Sequence, residues 1–159
     1  MSLKADEYYM RLAIDEARKN LKAMSGGPFG ACIVKAGKVL ALSRNTVLKN
    51  DATCHAEVNA IRSASRKLGT FDLSGAIIYS TTEPCPMCFS ALHWARVKRI
   101  VYGSSIRDAA SAGFNELALS NKKLKSLTGI SVTITSNILR AECRALFDEW
   151  LQHAKKRLY

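Results

Sequence analysis

The sequence contains no apolar run that approaches the ~18 residues needed to span a bilayer, so we expect no membrane partner. Its first residues, MSLKADEYYMRLAIDEARKN, mix acidic and basic side chains and lack the apolar segment of a secretory signal. Internal repeats and low-complexity tracts are also missing. These absences indicate a cytoplasmic protein, and 159 residues suit one domain, 1–159, with one hydrophobic core.

Acidic residues are scarce, with 13 Asp and Glu against 24 Lys and Arg and a net charge of +11. Such an excess favours contact with RNA or another anion. The basic residues occur in short scattered groups, however, and charge runs of this kind usually lie on solvated surface. Charge therefore leaves a nucleic-acid partner open without predicting one.

Cysteine is present in an odd number, five, in a chain without an export signal. Reduced thiols or metal ligands are therefore more consistent with the sequence than a disulfide framework. Cys32 and Cys143 stand in apolar patterns and are interpreted as core residues. Cys54, Cys85 and Cys88 remain as candidate ligands.

Hydrophobic periodicity predicts helices that alternate with strands. We expect helices over 4–23, 54–68, 86–96 and 138–156, two strands around a turn at Ala36-Gly37, and further strands over 76–82, 99–105 and 130–136. Residues 106–128 have no clear pattern. Strands that alternate with helices predict an α/β sandwich around a largely central sheet.

Two short stretches, HAEVNA at residues 55–60 and EPCPMC at residues 83–88, contain side chains typical of a metal site. Cys85 and Cys88 are three residues apart, which places both sulfurs on one side of the first turn of a helix. The positive end of that helix favours the thiolate form. With His55 they make three protein ligands, the number typical of catalytic zinc with water in the fourth position.

Glu57 follows His55 by two residues and therefore does not share its helix face. Its carboxylate is predicted to approach the zinc-bound water and to carry a proton to the substrate. Together the two stretches match the H-x-E and P-C-x-x-C signature of zinc deaminases. In the alternative, Cys54 completes a closed structural site of three cysteines and one histidine, which would leave Glu57 without a role.

On these residues the chain resembles the cytidine deaminase superfamily over nearly its whole length, and within it most closely the bacterial guanine deaminases. The resemblance implies an α/β fold, a three-layer α/β/α sandwich with a central mixed five-stranded sheet. It also implies a homodimer, one Zn2+ per chain bound by His55, Cys85 and Cys88, and hydrolytic loss of ammonia from a base. Guanine, converted to xanthine, is the expected substrate.

Three features resemble guanine deaminases in particular. In DAASAGFNEL, residues 108–117, Glu116 follows the Gly-Phe pair and is the acidic residue expected to contact the base and to act in catalysis. A carboxylate suits the adjacent N1–H and 2-amino donors of guanine. Trp94 would form an aromatic wall, and Tyr159 would close the pocket, in one known arrangement from a swapped subunit.

Further substrate contacts are expected from Phe29, Asn45 and Ala56. Phe29 in GGPFGA offers either a stacking face or a packing contact. Asn45 in SRNT resembles the family asparagine that hydrogen-bonds the base or sugar, although it precedes His55 by ten residues where eleven are expected. Ala56 lies between His55 and Glu57, where the resemblance implies another contact with the substrate.

Other functions stay open. A tRNA-specific adenosine deaminase would use the same zinc and glutamate, with the base flipped into the pocket and basic residues on the phosphates. Guanosine and cytosine are related small substrates for the same chemistry. A basic nucleic-acid-binding module with structural zinc belongs to another class, and it alone would tolerate Glu57→Ala without loss of function.

Overall fold

The computed structural model describes residues 2–159, and Met1 lies outside the described part of the chain. Over these residues the chain forms seven helices and five strands. In chain order they are α1 (Leu3–Arg18), α2 (Asn20–Ala23), β1 (Gly30–Lys35), β2 (Lys38–Arg44), α3 (Ala56–Leu68), β3 (Ile77–Thr82), α4 (Pro86–Trp94), β4 (Arg99–Ser104), α5 (Ile106–Ser111), α6 (Asn121–Thr128), β5 (Thr133–Thr135) and α7 (Arg140–Leu151). A membrane-spanning helix is not found among them.

The strands form one mixed sheet in the order β2-β1-β3-β4-β5. β1 runs antiparallel to both β2 and β3, whereas β3, β4 and β5 are parallel to one another. The hairpin between β1 and β2 turns at Ala36 and Gly37, which both have positive φ, as the tight turns that suit twisted strands require. β1 is buried on both faces, and its sequence GACIVK accordingly contains no charge before Lys35.

Helices cover both faces of this sheet. On one face, α1 and α7 pack on a core cluster that includes Met10, Ile14, Cys32, Tyr79, Val101, Cys143 and Leu146. On the other face, α3 and α4 pack on a second cluster, which includes Ile33, Ala60, Ile78, Leu92 and Ile100. Successive residues of β1 point to opposite clusters, as strand geometry requires. The predicted three-layer α/β/α sandwich with a mixed five-stranded sheet is confirmed.

Some predicted elements differ from the observed ones. The predicted helix over 4–23 is divided into α1 and α2. The closing helix covers only Arg140–Leu151. It begins at Arg140 because Asn137 and Leu139 before it have positive φ. Residues 106–128 contain α5 and α6, each begun by a serine whose side chain caps the helix. These helices are too short for hydrophobic periodicity to reveal them.

The amino termini of α3 and α4 lie side by side at one edge of the sheet. α4 follows β3 through residues 83–85, and α3 packs against β1, β2 and α4. Helix amino termini carry partial positive charge and unpaired N–H groups, so they favour thiolates and other anions. The fold thus brings the two sequence stretches that were predicted to form one site to the same place.

Candidate active site

His55, Cys85 and Cys88 meet where α3 and α4 begin. His55 directly precedes α3 and Cys85 directly precedes α4, both in extended backbone conformation, while Cys88 lies in the first turn of α4. Their ligand atoms all lie within 4.8 Å of one another, and His55 Nδ1 is 3.7 Å from Cys85 Sγ. Neither His55 nor Cys85 caps its own helix, so both side chains are free to join this group. We call these three residues the metal group.

The metal group fits a tetrahedral zinc ion. Zn–S bonds of ~2.3 Å and Zn–N bonds of ~2.0 Å at a tetrahedral angle place neighbouring N and S ligand atoms ~3.5 Å apart. The observed separation of 3.7 Å between His55 and Cys85 agrees with that value. Cys54 is outside the group, because its thiol contacts Arg62 at 3.2 Å and Asp51 at 3.5 Å. Among residues 2–159 the closed site of three cysteines and one histidine is therefore not formed.

Hydrogen bonding within the metal group shifts the pKa values of the two thiols in opposite directions. The bond from Cys88, helped by His55 and opposed by burial, lowers the pKa of Cys85 to about 4. The same bond and burial raise the pKa of Cys88 well above its usual value. Burial lowers the pKa of His55, but the bond to Cys85 and the charges of Glu57 and Cys85 outweigh burial and raise it to about 9. A metal cation that displaces these protons would meet two thiolates and a neutral imidazole.

Glu57 lies beside the metal group rather than within it. It is 6% exposed, and one carboxylate oxygen accepts a hydrogen bond from Ser80 Oγ at 2.9 Å. The other oxygen is 3.5 Å from the Cys88 thiol. Burial raises the pKa of Glu57, although the positive charge of His55 opposes this shift. A buried carboxyl with a raised pKa, next to a metal group, is suited to proton transfer at neutral pH.

A cavity of about 270 Å³ opens onto the metal group. Its wall comes from the start of β1, the loop between β2 and α3, the start of α4, the segment that follows α5, and the end of the chain. The lining residues are Phe29, Asn45, Val47, Ala52, His55, Glu57, Thr82, Glu83, Cys85, Met87, Phe114, Asn115, Glu116, Leu117 and Tyr159. Most residues that the sequence singled out therefore share one cavity.

Glu116 shares this cavity with the metal group. It belongs to residues 112–120, which form neither helix nor strand. Burial, together with the negative charge of Cys85, raises the pKa of Glu116 to about 7, and the charge of His55 opposes the shift. Of the three carboxyls that line the cavity, Glu57 and Glu116 both lie within electrostatic reach of the metal ligands.

Tyr159 closes one side of the cavity and fixes the orientation of Asn45. The Tyr159 hydroxyl donates to Asn45 Oδ1 at 2.8 Å and accepts from the backbone N–H of Gly27 at 2.7 Å. The backbone N–H of Val47 also donates to Asn45 Oδ1, at 3.0 Å. The Asn45 amide nitrogen is left as a donor, without a partner among residues 2–159. Because Asn115 N–H also donates to Tyr159 O, the end of the chain reaches its own pocket.

Of three predicted substrate contacts, Phe29 lines the cavity, whereas Trp94 and Ala56 do not. Trp94 is 75% exposed at the carboxyl end of α4, whereas the metal ligands lie at its amino end, so it does not form the predicted aromatic wall in this chain. The side chain of Ala56 is fully buried in the core cluster under α3, which leaves only its backbone for the predicted contact. Phe29 lines the cavity and also packs edge-on against Phe114, with ring centroids 4.9 Å apart, so it combines both expected roles.

Two residues that were not predicted from the sequence, Phe114 and Ser80, also contribute to the site. Phe114 supplies the aromatic surface that was expected from Trp94, and its position directly before Asn115 and Glu116 was a usable signal. Ser80 had no such signal, because its bond to Glu57 depends on β3 lying beneath α3 in the folded chain.

Residues 3–104 match the family described as the cytidine and deoxycytidylate deaminase zinc-binding region. The chain belongs to the cytidine and deoxycytidylate deaminase family. Within this family, the guanine deaminase of Bacillus subtilis (strain 168) is 37% identical over 159 residues, covering 96% of this chain and 98% of the relative. The tRNA-specific adenosine deaminase of the same strain is 31% identical over 153 residues, covering 96% and 92%.

A solved member of the cytidine and deoxycytidylate deaminase family has the same fold. The guanine deaminase from Nitrosomonas europaea superposes with a TM-score of 0.82 at 30% identity, covering 90% of this chain and 82% of that one. Family membership and the metal group confirm two predictions, zinc as the cofactor and hydrolytic deamination as the chemistry. The alternative of a non-enzymatic module with structural zinc is wrong.

Proposed function

We propose that the protein is a guanine deaminase, which hydrolyses guanine to xanthine and ammonia. The observation that carries this proposal is the carboxyl of Glu116 in the same cavity as the metal group and Glu57. The N1–H and 2-amino groups of guanine are adjacent donors that one carboxylate accepts together. Adenine and cytosine each present a ring-nitrogen acceptor beside their amino group, so neither complements a carboxylate in this way.

The reaction replaces the C2–N bond to the amino group of guanine by a C2–O bond. Zinc bound by His55, Cys85 and Cys88 would supply Lewis-acid activation of water at neutral pH. Glu57 accepts a proton from the attacking water and delivers it to a nitrogen of the purine ring. It then takes the second proton from the new C2 hydroxyl and delivers it to the amine, so that ammonia leaves and a C2 carbonyl remains. Ser80 keeps one oxygen of Glu57 engaged, which leaves the other oxygen for these transfers.

Other cavity residues orient the base. Glu116 accepts from the N–H edge of guanine, and the unpartnered amide nitrogen of Asn45 donates to the acceptors O6 or N7. Phe29 and Phe114 provide an apolar surface for the ring. Tyr159 covers the base and excludes water. A cavity of about 270 Å³ suits one free base, since it lies near the lower end of the range for ligand pockets, ~300 Å³.

We also propose that residues 1–159 act as one domain, in a cytoplasmic homodimer. Trp94 and Leu127 support this assembly, because both are large, apolar and exposed on the neighbouring helices α4 and α6. The proposed arrangement has each Tyr159 in its own pocket, and a swapped carboxyl-terminal tail is the alternative.

The second candidate is a tRNA-specific adenosine deaminase. The net charge of +11 and 31% identity to a bacterial enzyme of that name favour it. Against it, Tyr159 lies over the cavity, bonded to Gly27 and Asn45, where the ribose of a flipped nucleotide would need room. A free base is therefore the better fit.

Product analysis tests the proposal. The zinc-loaded protein is incubated separately with guanine, guanosine, cytosine and a tRNA anticodon stem-loop, and the products are separated by chromatography. We expect xanthine from guanine at a rate well above that of any other conversion, with Glu57→Gln as the control for contaminating enzymes. Inosine in the stem-loop without xanthine from guanine would establish the second candidate instead.

A further inference from the structure

Glu83 is buried directly before the metal-binding turn. It is 6% exposed and stands between the end of β3 and Pro84, two residues before Cys85. Its backbone N–H donates to Ser104 O at 2.8 Å, which fixes the main chain beside β4. The proposed reaction assigns no chemical step to this carboxylate, although it touches the cavity wall.

Both oxygens of the Glu83 carboxylate accept backbone N–H groups from one segment of the chain. Oε2 accepts from Ile106 at 3.3 Å and Oε1 accepts from Asn121 at 2.8 Å. Asn121 returns a bond, since its Nδ2 donates to Pro84 O at 2.5 Å. We call residues 106–121 the recognition segment, because it contains Glu116, and Glu83 thus binds both of its ends.

The shape of the recognition segment depends on such anchors. Residues 112–120 form neither helix nor strand, so no regular backbone bonding positions Glu116. A carboxylate can accept two N–H groups at once, whereas an amide has one accepting oxygen and presents N–H groups on the other side. A buried backbone N–H that loses its acceptor destabilises the position of its segment.

We infer that Glu83 is a positioning residue that clamps the recognition segment to the metal-binding turn and so sets where Glu116 stands. The effect on guanine rests on the proposed function, in which Glu116 accepts from the base. The clamp itself is a property of this chain whatever the substrate. Through these bonds, Glu83 fixes the distance between the metal group and Glu116.

Four zinc-loaded variants of the full chain test the clamp: Glu83→Gln, Glu116→Gln, the double variant, and Tyr79→Phe. The last is the matched control, because it removes the buried hydrogen bond from Tyr79 to Asp6, on the opposite face of the sheet. Zinc content, kcat and KM for guanine, and hydrogen exchange of backbone amides 113–119 are measured for each. A misplaced recognition group lowers rates by up to roughly 100-fold.

We expect Glu83→Gln to keep full zinc and to lower kcat/KM for guanine by roughly 10- to 100-fold. The double variant should lose no more than Glu116→Gln alone, because both changes remove the same placed carboxylate. Amides 113–119 should exchange at least about 10-fold faster in Glu83→Gln and at the parent rate in Tyr79→Phe. If Glu83→Gln does not fold, Glu83→Asp keeps the carboxylate but shortens its reach to the backbone N–H groups of Ile106 and Asn121, and the same results are expected.

Unchanged exchange in Glu83→Gln, loss of zinc, or losses that multiply in the double variant would overturn the clamp. Failure of the proposed function looks different, since the parent itself would then leave guanine unchanged. In that event the exchange rates of amides 113–119 in the substrate-free protein still decide whether Glu83 holds the segment.

Discussion

Glu57 and Glu116 are two carboxyls in one cavity whose surroundings give them different tasks. Glu57 stands on the first turn of α3 and is held by Ser80, so its position is fixed by regular structure. Glu116 stands on an irregular segment and has no side-chain bond among residues 2–159, so a substrate is free to bond to it. A fixed acid suits proton transfer, and an unpaired one suits recognition.

Glu57→Gln is expected to lower guanine turnover at least ~100-fold, because the amide cannot carry a proton. Zinc content should stay at one per chain, since the metal group excludes Glu57. The bond from Ser80 can persist to the amide oxygen, so the thermal midpoint should not fall. Metal analysis, steady-state rates and thermal unfolding check these points, with Glu7→Gln on α1 as the matched control. A near-parental rate would remove Glu57 from the mechanism.

Guanine affinity should depend on the protonation of Glu116. Its pKa is raised to about 7 by burial and by the charge of Cys85, and a bound metal cation would draw that value down. As pH falls through this pKa, the carboxylate becomes a carboxylic acid and presents a proton to the donors of guanine. In the zinc-loaded protein, binding should therefore be strongest at and above about pH 7 and should weaken at a lower pH than the metal-free pKa of Glu116 implies.

Calorimetry of guanine binding to the zinc-loaded Glu57→Gln variant checks this dependence, because turnover and the titration of Glu57 are both removed. The Glu57→Gln/Glu116→Gln double variant is the control and should bind guanine weakly at every pH. The same decline in both proteins would show that another group causes it.

At the scale of elements, periodicity and caps predicted most of the fold. The strongly patterned β1, β3, β4 and α3 were located within a few residues, and the Cys-x-x-C spacing placed Cys85 and Cys88 at the start of α4. Placement of Trp94 failed because it lies six residues after Cys88, at the end of α4 away from the metal ligands. Residues 112–120 could not be predicted, since long-range bonds and not local propensity define their course.

The carboxyl-terminal tail is the element whose contribution to the site is most easily removed. Tyr159→Phe deletes the hydroxyl that donates to Asn45 and accepts from Gly27. These two hydrogen bonds, of ~1 kcal/mol each, hold the tail over the cavity, so their loss should release the tail locally and lower kcat/KM for guanine roughly 10-fold or more. Zinc content and thermal stability should change little. Steady-state kinetics check this, and Tyr8→Phe, at an exposed tyrosine, is the matched control.

Mixing experiments separate the own-chain tail from a swapped one. A chain without Tyr159 and a Glu57→Gln chain are unfolded together, refolded and assayed with guanine. In the arrangement seen here, each pocket is completed by its own tail, so the mixture should be no more active than its parts. Recovery of activity would show that Tyr159 acts on the pocket of a second chain.

At the scale of the whole molecule, the charge of +11 acts on any polyanion and does not by itself identify a substrate. Some arginines that could bind phosphate instead form ion pairs within the chain. Arg99 is paired with the buried Asp6, and Arg140 is paired with Asp108. The remaining positive charge is spread over the surface, which favours weak and sequence-independent association.

The protein is therefore expected to bind a tRNA stem-loop at low salt and to release it as salt rises, because each phosphate contact releases counterions. The stem-loop should compete poorly with guanine for the cavity, since Tyr159, bonded to Gly27 and Asn45, covers it and would hinder the ribose of a flipped nucleotide. The measurement is guanine turnover with and without excess stem-loop, at low and at physiological salt. At physiological salt the two rates should agree within about twofold. Competitive inhibition that persists there, and is stronger in Tyr159→Ala, would show that RNA reaches the metal group and that the tail is what holds it back.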